Sequence, residues 1–221
     1  MKLSKRLQVI ADMVPTNIPC ADIGSDHGLL VKYLIENNIV PFAYASDNKV
    51  GPYNRLTTNL LTLINRGLVE VNLKDGLEDL SEKYRSVVIA GMGGDLIVKI
   101  IKSHQNLLKN IDYFLLSPHG NEKEVRECLI ELGYMIVDEN VVFEDHYYEV
   151  ILFEKGKCDY HENEMIYGPI NLKKRSEIFK EKYQEKITFN LNIIEKYQLS
   201  DERKNQILKE IENDKNMLEK L

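Results

Sequence analysis

Hydrophobic positions along the chain fall into two alternating rhythms. Leu3, Leu7, Ile10 and Val14 recur at spacings of four, three and four, which predicts a short amphipathic helix ended by Pro15. Short apolar runs then alternate with stretches of helical period. Residues 20–23 read as a strand closed by Gly24, and 27–37 as a helix with Leu30, Leu34 and Ile35 on one face. A second strand at 43–46 precedes a helix at 52–66 that carries Leu56, Leu60, Leu63 and Ile64 and stops at Gly67. Further strands are expected at 69–72, 87–90 and 113–116, with helices at 95–107 and 122–132. After Gly133 two longer strands, 135–143 and 147–153, flank the turn Glu144-Asp145-His146. Strand–helix alternation predicts a doubly wound, mostly parallel sheet covered on both faces. So short a turn makes the last strand pair antiparallel.

The chain from 159 onward is different. Phe179, Tyr183, Ile187, Ile194 and Tyr197 fall mostly three or four apart, as do Ile207, Ile211, Leu218 and Leu221. Between the two sets, Ser200 followed by Asp201 and Glu202 is a helix start: a capping hydroxyl, then acids on the positive end of the dipole. The reading is a helical hairpin whose apolar seam is too narrow for an independent core. Two domains are expected, 1–158 and 159–221.

Charge modifies this picture locally. The net charge is −6, yet residues 161–221 hold 12 Lys/Arg against 12 Asp/Glu, so the whole excess falls on the first 160. A surface that meets an anionic partner must then be a local patch. Lys173, Lys174 and Arg175 form the densest one, either as a solvated helix face or as a nucleic-acid contact. Cys20, Cys128 and Cys158 are far apart and odd in number, which excludes a disulfide scaffold and a cysteine zinc site, and the histidines show no metal-ligand spacing. No metal is expected. The N-terminus lacks the apolar stretch of a secretory signal, and no run approaches the roughly 18 apolar residues of a membrane span, so the expected location is the cytoplasm.

Candidate chemistry lies at successive strand ends, where ligands sit in open α/β sheets. The first turn reads Asp22-Ile23-Gly24-Ser25-Asp26-His27-Gly28. Its G-x-x-x-G spacing is not the dinucleotide fingerprint, and two acids would repel a pyrophosphate. They would attract a sulfonium and an ammonium, the two cations of S-adenosylmethionine. Gly24 lets such a ligand approach the backbone, and His27 either caps the helix or lines the pocket. Asp47, with Asn48 behind it, ends the second strand, where a carboxylate can accept both ribose hydroxyls. Asp75-Gly76 follows the third strand and can take an adenine amine. After the fourth, Gly91-Met92-Gly93-Gly94 replaces the Asn/Asp-Pro-Pro-aromatic tetrapeptide of DNA adenine amino-methylases, leaving open space and exposed backbone.

These motifs resemble those of the bacterial tRNA adenine-N1 methyltransferases of the TrmK type. The likeness rests on the LSKRL helix, ADIGSDHGLL, the GPY after Asp47, KDGL at 74–77, IAGMGGDLI, and the EVRECLIELGYMIVDENVVFEDHYYEVILFEK stretch, covering about residues 1–155. It implies a Rossmann-like class I methyltransferase fold with a C-terminal helical hairpin, S-adenosylmethionine as cofactor, and methylation of N1 of the adenine at position twenty-two of tRNA. The alternatives are a methyltransferase for another RNA position or a small molecule, or a non-catalytic cofactor- or RNA-binding module. Where the family commonly shows Gln-Pro-Asn after the fifth strand, this chain has Ser117-Pro118-His119, which the resemblance places near the target base along with Gly93 and Gly94. Asp26 is the leading candidate to stabilise the cationic product, ahead of Asp95 and Asp145. His119 either stacks on or hydrogen-bonds the base, or is a solvated loop residue. The tail is expected to grip tRNA, and the expected state is a monomer, with a dimer as the other possibility.

Overall fold

The computed structural model describes residues 2–220 and divides into two compact units, 1–170 and 171–221. In the first, α1 (Lys5–Met13) is capped by the Ser4 hydroxyl and leads to β1 (Cys20–Ile23), α2 (Leu29–Glu36), β2 (Ala43–Asp47), α3 (Val50–Asn65) and β3 (Val69–Leu73). Then come β4 (Ser86–Gly93), α4 (Gly94–Ser103), a 3₁₀ turn over Gln105–Asn110, β5 (Tyr113–His119), α5 (Glu122–Glu131), β6 (Tyr134–Phe143) and β7 (Tyr147–Lys155). The order across the seven-stranded sheet is β3-β2-β1-β4-β5-β7-β6. Strands β1 to β5 pair in parallel and β7 pairs antiparallel with both β5 and β6. The chain therefore has the doubly wound sheet with a terminal hairpin that its periodicity predicts.

Alternation along each strand builds two cores. Ala21, Ile23, Val87, Ile89, Phe114 and Leu116 face one layer with Ile97, Ile101 and Leu129. Cys20, Val88, Leu115 and Val150 face the other, with Ile10, Leu34, Leu56 and Leu60. Period-2 burial on both faces is what a central parallel sheet needs. The winding order, not the strand direction, reverses between the parallel neighbours β1 and β4: the chain winds outward to β3, then returns past β1 to β4. That reversal opens a crevice at the carboxyl ends of these strands.

Two helices appear where the sequence reading had none, α6 (Glu162–Tyr167) and α7 (Pro169–Lys174). The boundary expected at 158 falls earlier than the division between the units. The segment after β7 is tied to the first unit by a buried cation. Arg126, fully buried on α5, pairs with Glu139 at 2.8 Å and with Glu149, and donates to the carbonyls of Met165 at 3.1 Å and Ile166 at 3.3 Å. The Ile170 N–H donates to Glu139 Oε2 at 2.9 Å, and the Ile136 N–H to the Tyr160 hydroxyl at 2.9 Å.

The second unit contains α8 (Glu177–Lys196) and α9 (Asp201–Glu219), capped by the hydroxyls of Ser176 and Ser200. Ile187, Ile207 and Ile211 form its small core, beside a Lys186–Asp214 ion pair of 2.9 Å. Leu221, placed on the α9 seam from its spacing, lies outside the described residues. No helix among the described residues is long and apolar enough to cross a membrane.

Candidate active site

The turn after β1 is stitched to β2. The N–H groups of Gly24 and Ser25 both donate to the Ser46 carbonyl, at 2.8 and 3.0 Å, and the Gly28 N–H closes onto the Ser25 carbonyl at 2.9 Å. Gly24 has φ +75°, and a Cβ there would overlap the terminal methyl of Met92. Gly28, φ +68°, starts α2, where a Cβ would stand 2.8 Å from Leu60 Cδ1 of α3. One glycine therefore clears space at the strand end and the other permits close packing of helices.

Two adjoining cavities open around this turn. The larger, about 610 Å³, is bordered by Gly24, Asp26, Asp47, Asn48, Asp75, Gly76, Gly91 and Met92, with Leu96 and Ile100 as its apolar wall. Eight of the ten residues assigned to the cofactor from sequence come together there. The smaller, about 170 Å³, is lined by Asp22 and His27 together with Arg6, Leu7, Ser25, Leu29 and Leu30. Gly24, Asp26 and Ala90 border both.

The acids differ in environment. Asp22 is buried and accepts the Ser25 hydroxyl at 2.5 Å; burial lifts its carboxyl to about 6, with the Ser25 bond opposing the rise. Asp47 ends β2, and its Oδ1 accepts the Lys49 N–H at 2.9 Å. Asn48 Nδ2 donates to Asp75 Oδ1 at 3.1 Å, so the second and third strand ends are linked across the cavity. Asp26 is half-exposed, 2.6 Å from Arg55 Nη2 and 3.5 Å from His27 Nε2. Its charge is already matched by Arg55, which weakens its case as the group that stabilises a cationic product. Asp95 and Asp145 are also engaged, by Asn121 Nδ2 at 2.9 Å and the Tyr148 hydroxyl at 2.7 Å. His27 gives α2 no side-chain cap; its carbonyl accepts Asn59 Nδ2 at 3.0 Å.

The residues assigned to the target base are dispersed. Strand β5 runs on to His119, so Ser117 and Pro118 are buried within the sheet and border neither cavity. Pro118 pairs opposite Met92, and His119 opposite Gly93. Only His119 is exposed, with its ring edge-on to Tyr148 at 5.1 Å and Nε2 3.3 Å from Arg6 Nη1. Gly93 faces open space, as the glycine-rich turn predicts. Gly94 does not: a Cβ there would stand 2.6 Å from the Gly120 carbonyl, so this glycine serves packing at the start of α4. Lys173, Lys174 and Arg175 belong to the second unit and line neither cavity. Arg6, Ser25, Arg55 and Tyr148 were not anticipated at the site. Each is placed there by an element remote in sequence or by a local hydrogen bond that periodicity does not reveal.

Residues 3–151 match the family model described as a methyltransferase domain. The curated tRNA (adenine(22)-N(1))-methyltransferase of Bacillus subtilis (strain 168) is 31% identical over 221 residues, covering 96% of this chain and 93% of that protein. The crystal structure of the B. subtilis M1A22 tRNA methyltransferase TrmK superposes with a TM-score of 0.85 at 29% identity, over 99% of this chain and 98% of that one. The structure of M. capricolum TrmK in complex with its natural cofactor product, S-adenosyl-homocysteine, gives a TM-score of 0.88 at 25% identity over 99% of each chain. The acids and glycines gathered at the strand ends are thus those of a methyltransferase domain, and the chain belongs to the family of the tRNA (adenine(22)-N(1))-methyltransferases.

Proposed function

We propose that this protein transfers a methyl group from S-adenosylmethionine to N1 of adenine 22 in tRNA, in the cytoplasm. The observation that carries the reading is the pair of adjoining cavities at the sheet's switch point, one lined by Asp47, Asn48, Asp75 and Gly76, the other by the buried Asp22. Their donor set fits the two halves of that cofactor. Asp47 can accept the ribose hydroxyls, and the linked Asn48–Asp75 pair can meet the adenine edge against Leu96 and Ile100. Asp22 suits the ammonium of the amino-acid end, and Gly24 leaves the backbone open where a side chain would intrude.

Bound S-adenosylmethionine supplies a methyl group already activated by its sulfonium. Adenine N1 brings its own lone pair, so the chain needs no strong general base. Its task is alignment, worth about 7–11 kcal/mol when complete. N1 lies on the pairing edge, so the target base must be unpaired or extruded before it is presented. His119, Tyr148 and the open backbone at Gly93 form the face beside the cavities on which an extruded base can rest. The second unit, with Lys173, Lys174 and Arg175, is the proposed grip on tRNA phosphates, since the −6 charge arises in the first 160 residues.

The test is to incubate the protein with methyl-labelled cofactor and unmodified tRNA and map the label. A methyl on N1 blocks base pairing, so a reverse-transcription stop at adenine 22 is expected, dependent on protein and cofactor. Label at another nucleotide, or none in tRNA, overturns the assignment.

A further inference from the structure

Arg6 has no part in the assignment above, yet its side chain is held at the site from several sides. Its helix is moored to the hairpin by the Lys5 N–H, which donates to Glu144 Oε1 at 2.9 Å. The guanidinium carbon lies 4.6 Å from the centroid of the Tyr148 ring, a cation–π contact. Nη1 is 3.3 Å from His119 Nε2. Tyr148 is itself fixed, its hydroxyl donating to Asp145 at 2.7 Å. Both terminal nitrogens lie 3.7–3.8 Å from where a Cβ on Gly91 would stand, and Arg6 lines the smaller cavity with Asp22 and Ser25.

The chain is rich in acids, with 35 Asp and Glu, and Arg55, Arg85 and Arg126 each have a carboxylate partner. Arg6 has none among the described residues. Its Nε is buried without a hydrogen-bond partner, and His119 engages only one of the five N–H donors that a guanidinium carries. A partly desolvated cation in this state is short of an anion, and its planar fork matches two oxygens of one group.

We propose that Arg6 is an oxyanion-binding residue of the active site. This rests on the reading of the two cavities as the methyl donor's. Two reactants bring such a group to that place: the carboxylate of the donor's amino-acid end and a phosphodiester beside the target nucleotide. An α-amino acid needs one anion and one cation in the same small space, and Asp22 with Arg6 provides both in about 170 Å³. A phosphodiester would instead be met from the side of Tyr148 and His119.

Full-length Arg6→Gln and Arg6→Lys separate the sources. Calorimetry compares S-adenosylhomocysteine with 5′-methylthioadenosine, which lacks the amino acid, and methylation kinetics are followed between about 50 and 200 mM salt. For the carboxylate, Arg6→Gln weakens S-adenosylhomocysteine about 10- to 100-fold and leaves 5′-methylthioadenosine within about twofold. Arg6→Lys then recovers only part, because an ammonium cannot make paired bonds. For the phosphodiester, both nucleosides bind normally, KM for tRNA rises about 10-fold, and the salt slope of kcat/KM falls by about one. Equal weakening of both nucleosides reports packing and overturns the proposal, as does wild-type behaviour in all measurements. A wild-type protein that binds neither nucleoside defeats the donor reading itself.

Discussion

Asp22 shows how much a single burial decides. The sequence marks it as an acid at a strand tip, and the fold adds desolvation, which lifts its carboxyl to about 6. A folded-state value raised above the ordinary 3.8 of an aspartate favours the neutral acid: the stabilisation it gives the free protein is complete below about 3.8 and lost as pH rises through about 6. An ammonium requires the ionised form. Donor affinity should therefore climb about tenfold per pH unit up to about 6 and then level, a proton leaving on binding below that point. The thermal shift induced by S-adenosylmethionine should grow over the same interval. In Asp22→Asn the affinity falls and the slope disappears; an Asn variant that keeps both would exclude Asp22 as the ammonium's partner. Gly24 makes a steric counterpart. Gly24→Val puts a branched Cβ at φ +75° and into Met92, so donor binding should be lost to calorimetry while α2 still forms. Both residues were legible because strand tips in this topology border the crevice, as Asp22 and Gly24 do here. Asp26 was legible as an acid but not as a partner of Arg55, which α3 supplies from 29 positions away.

At the scale of elements, the departures from the sequence reading have a common physical source: strand length. Val87 to Ala90 is the apolar part of β4, but pairing carries the strand on to Gly93 and β5 on to His119. Three further residues of β5 enter the sheet, so Ser117 and Pro118 become interior and only His119 emerges. Apolar runs mark where a strand is buried, not where its hydrogen bonds end. The Arg126 cluster is illegible for a related reason. Arg126, Glu139 and Glu149 read as ordinary charges on α5, β6 and β7, and only the hairpin's register brings them together. Burial pushes Glu139 upward, opposed first by Arg126. Arg126→Met leaves two carboxylates buried without their cation, which should cost about 3–5 kcal/mol in urea unfolding. That variant should lose further stability as pH rises, because its carboxylates must then be buried as anions. Changing Glu139 and Glu149 to Gln in the same chain should recover part of the loss. An Arg126→Met protein as stable as wild type would show that the cluster is not what closes this end of the sheet.

Over the whole molecule the question is where the catalytic unit ends. Composition changes near residue 159, and the tail's helical period begins beyond it, which is why the boundary was expected there. The polar contacts of the segment say otherwise. Tyr160 receives the Ile136 N–H, the carbonyls of Met165 and Ile166 meet Arg126, and Ile170 donates to Glu139. Met165 is also part of the core that holds Ile97 and Phe114. The segment up to 170 therefore supplies partners to a buried cation and a buried acid, and removing it leaves both short of hydrogen bonds. Two truncations distinguish the alternatives. A chain of residues 1–170 should unfold cooperatively and bind S-adenosylmethionine with wild-type affinity, because every residue lining the two cavities precedes the cut. A chain of residues 1–158 should be less stable by several kcal/mol, since these four buried or part-buried hydrogen bonds and the Met165 contact go together. The longer truncate should also separate chemistry from recognition, keeping donor binding but losing tRNA methylation if the second unit grips the RNA. Equal stability of the two truncates would place the boundary at 158 after all, and full methylation by residues 1–170 would remove the tail from substrate binding.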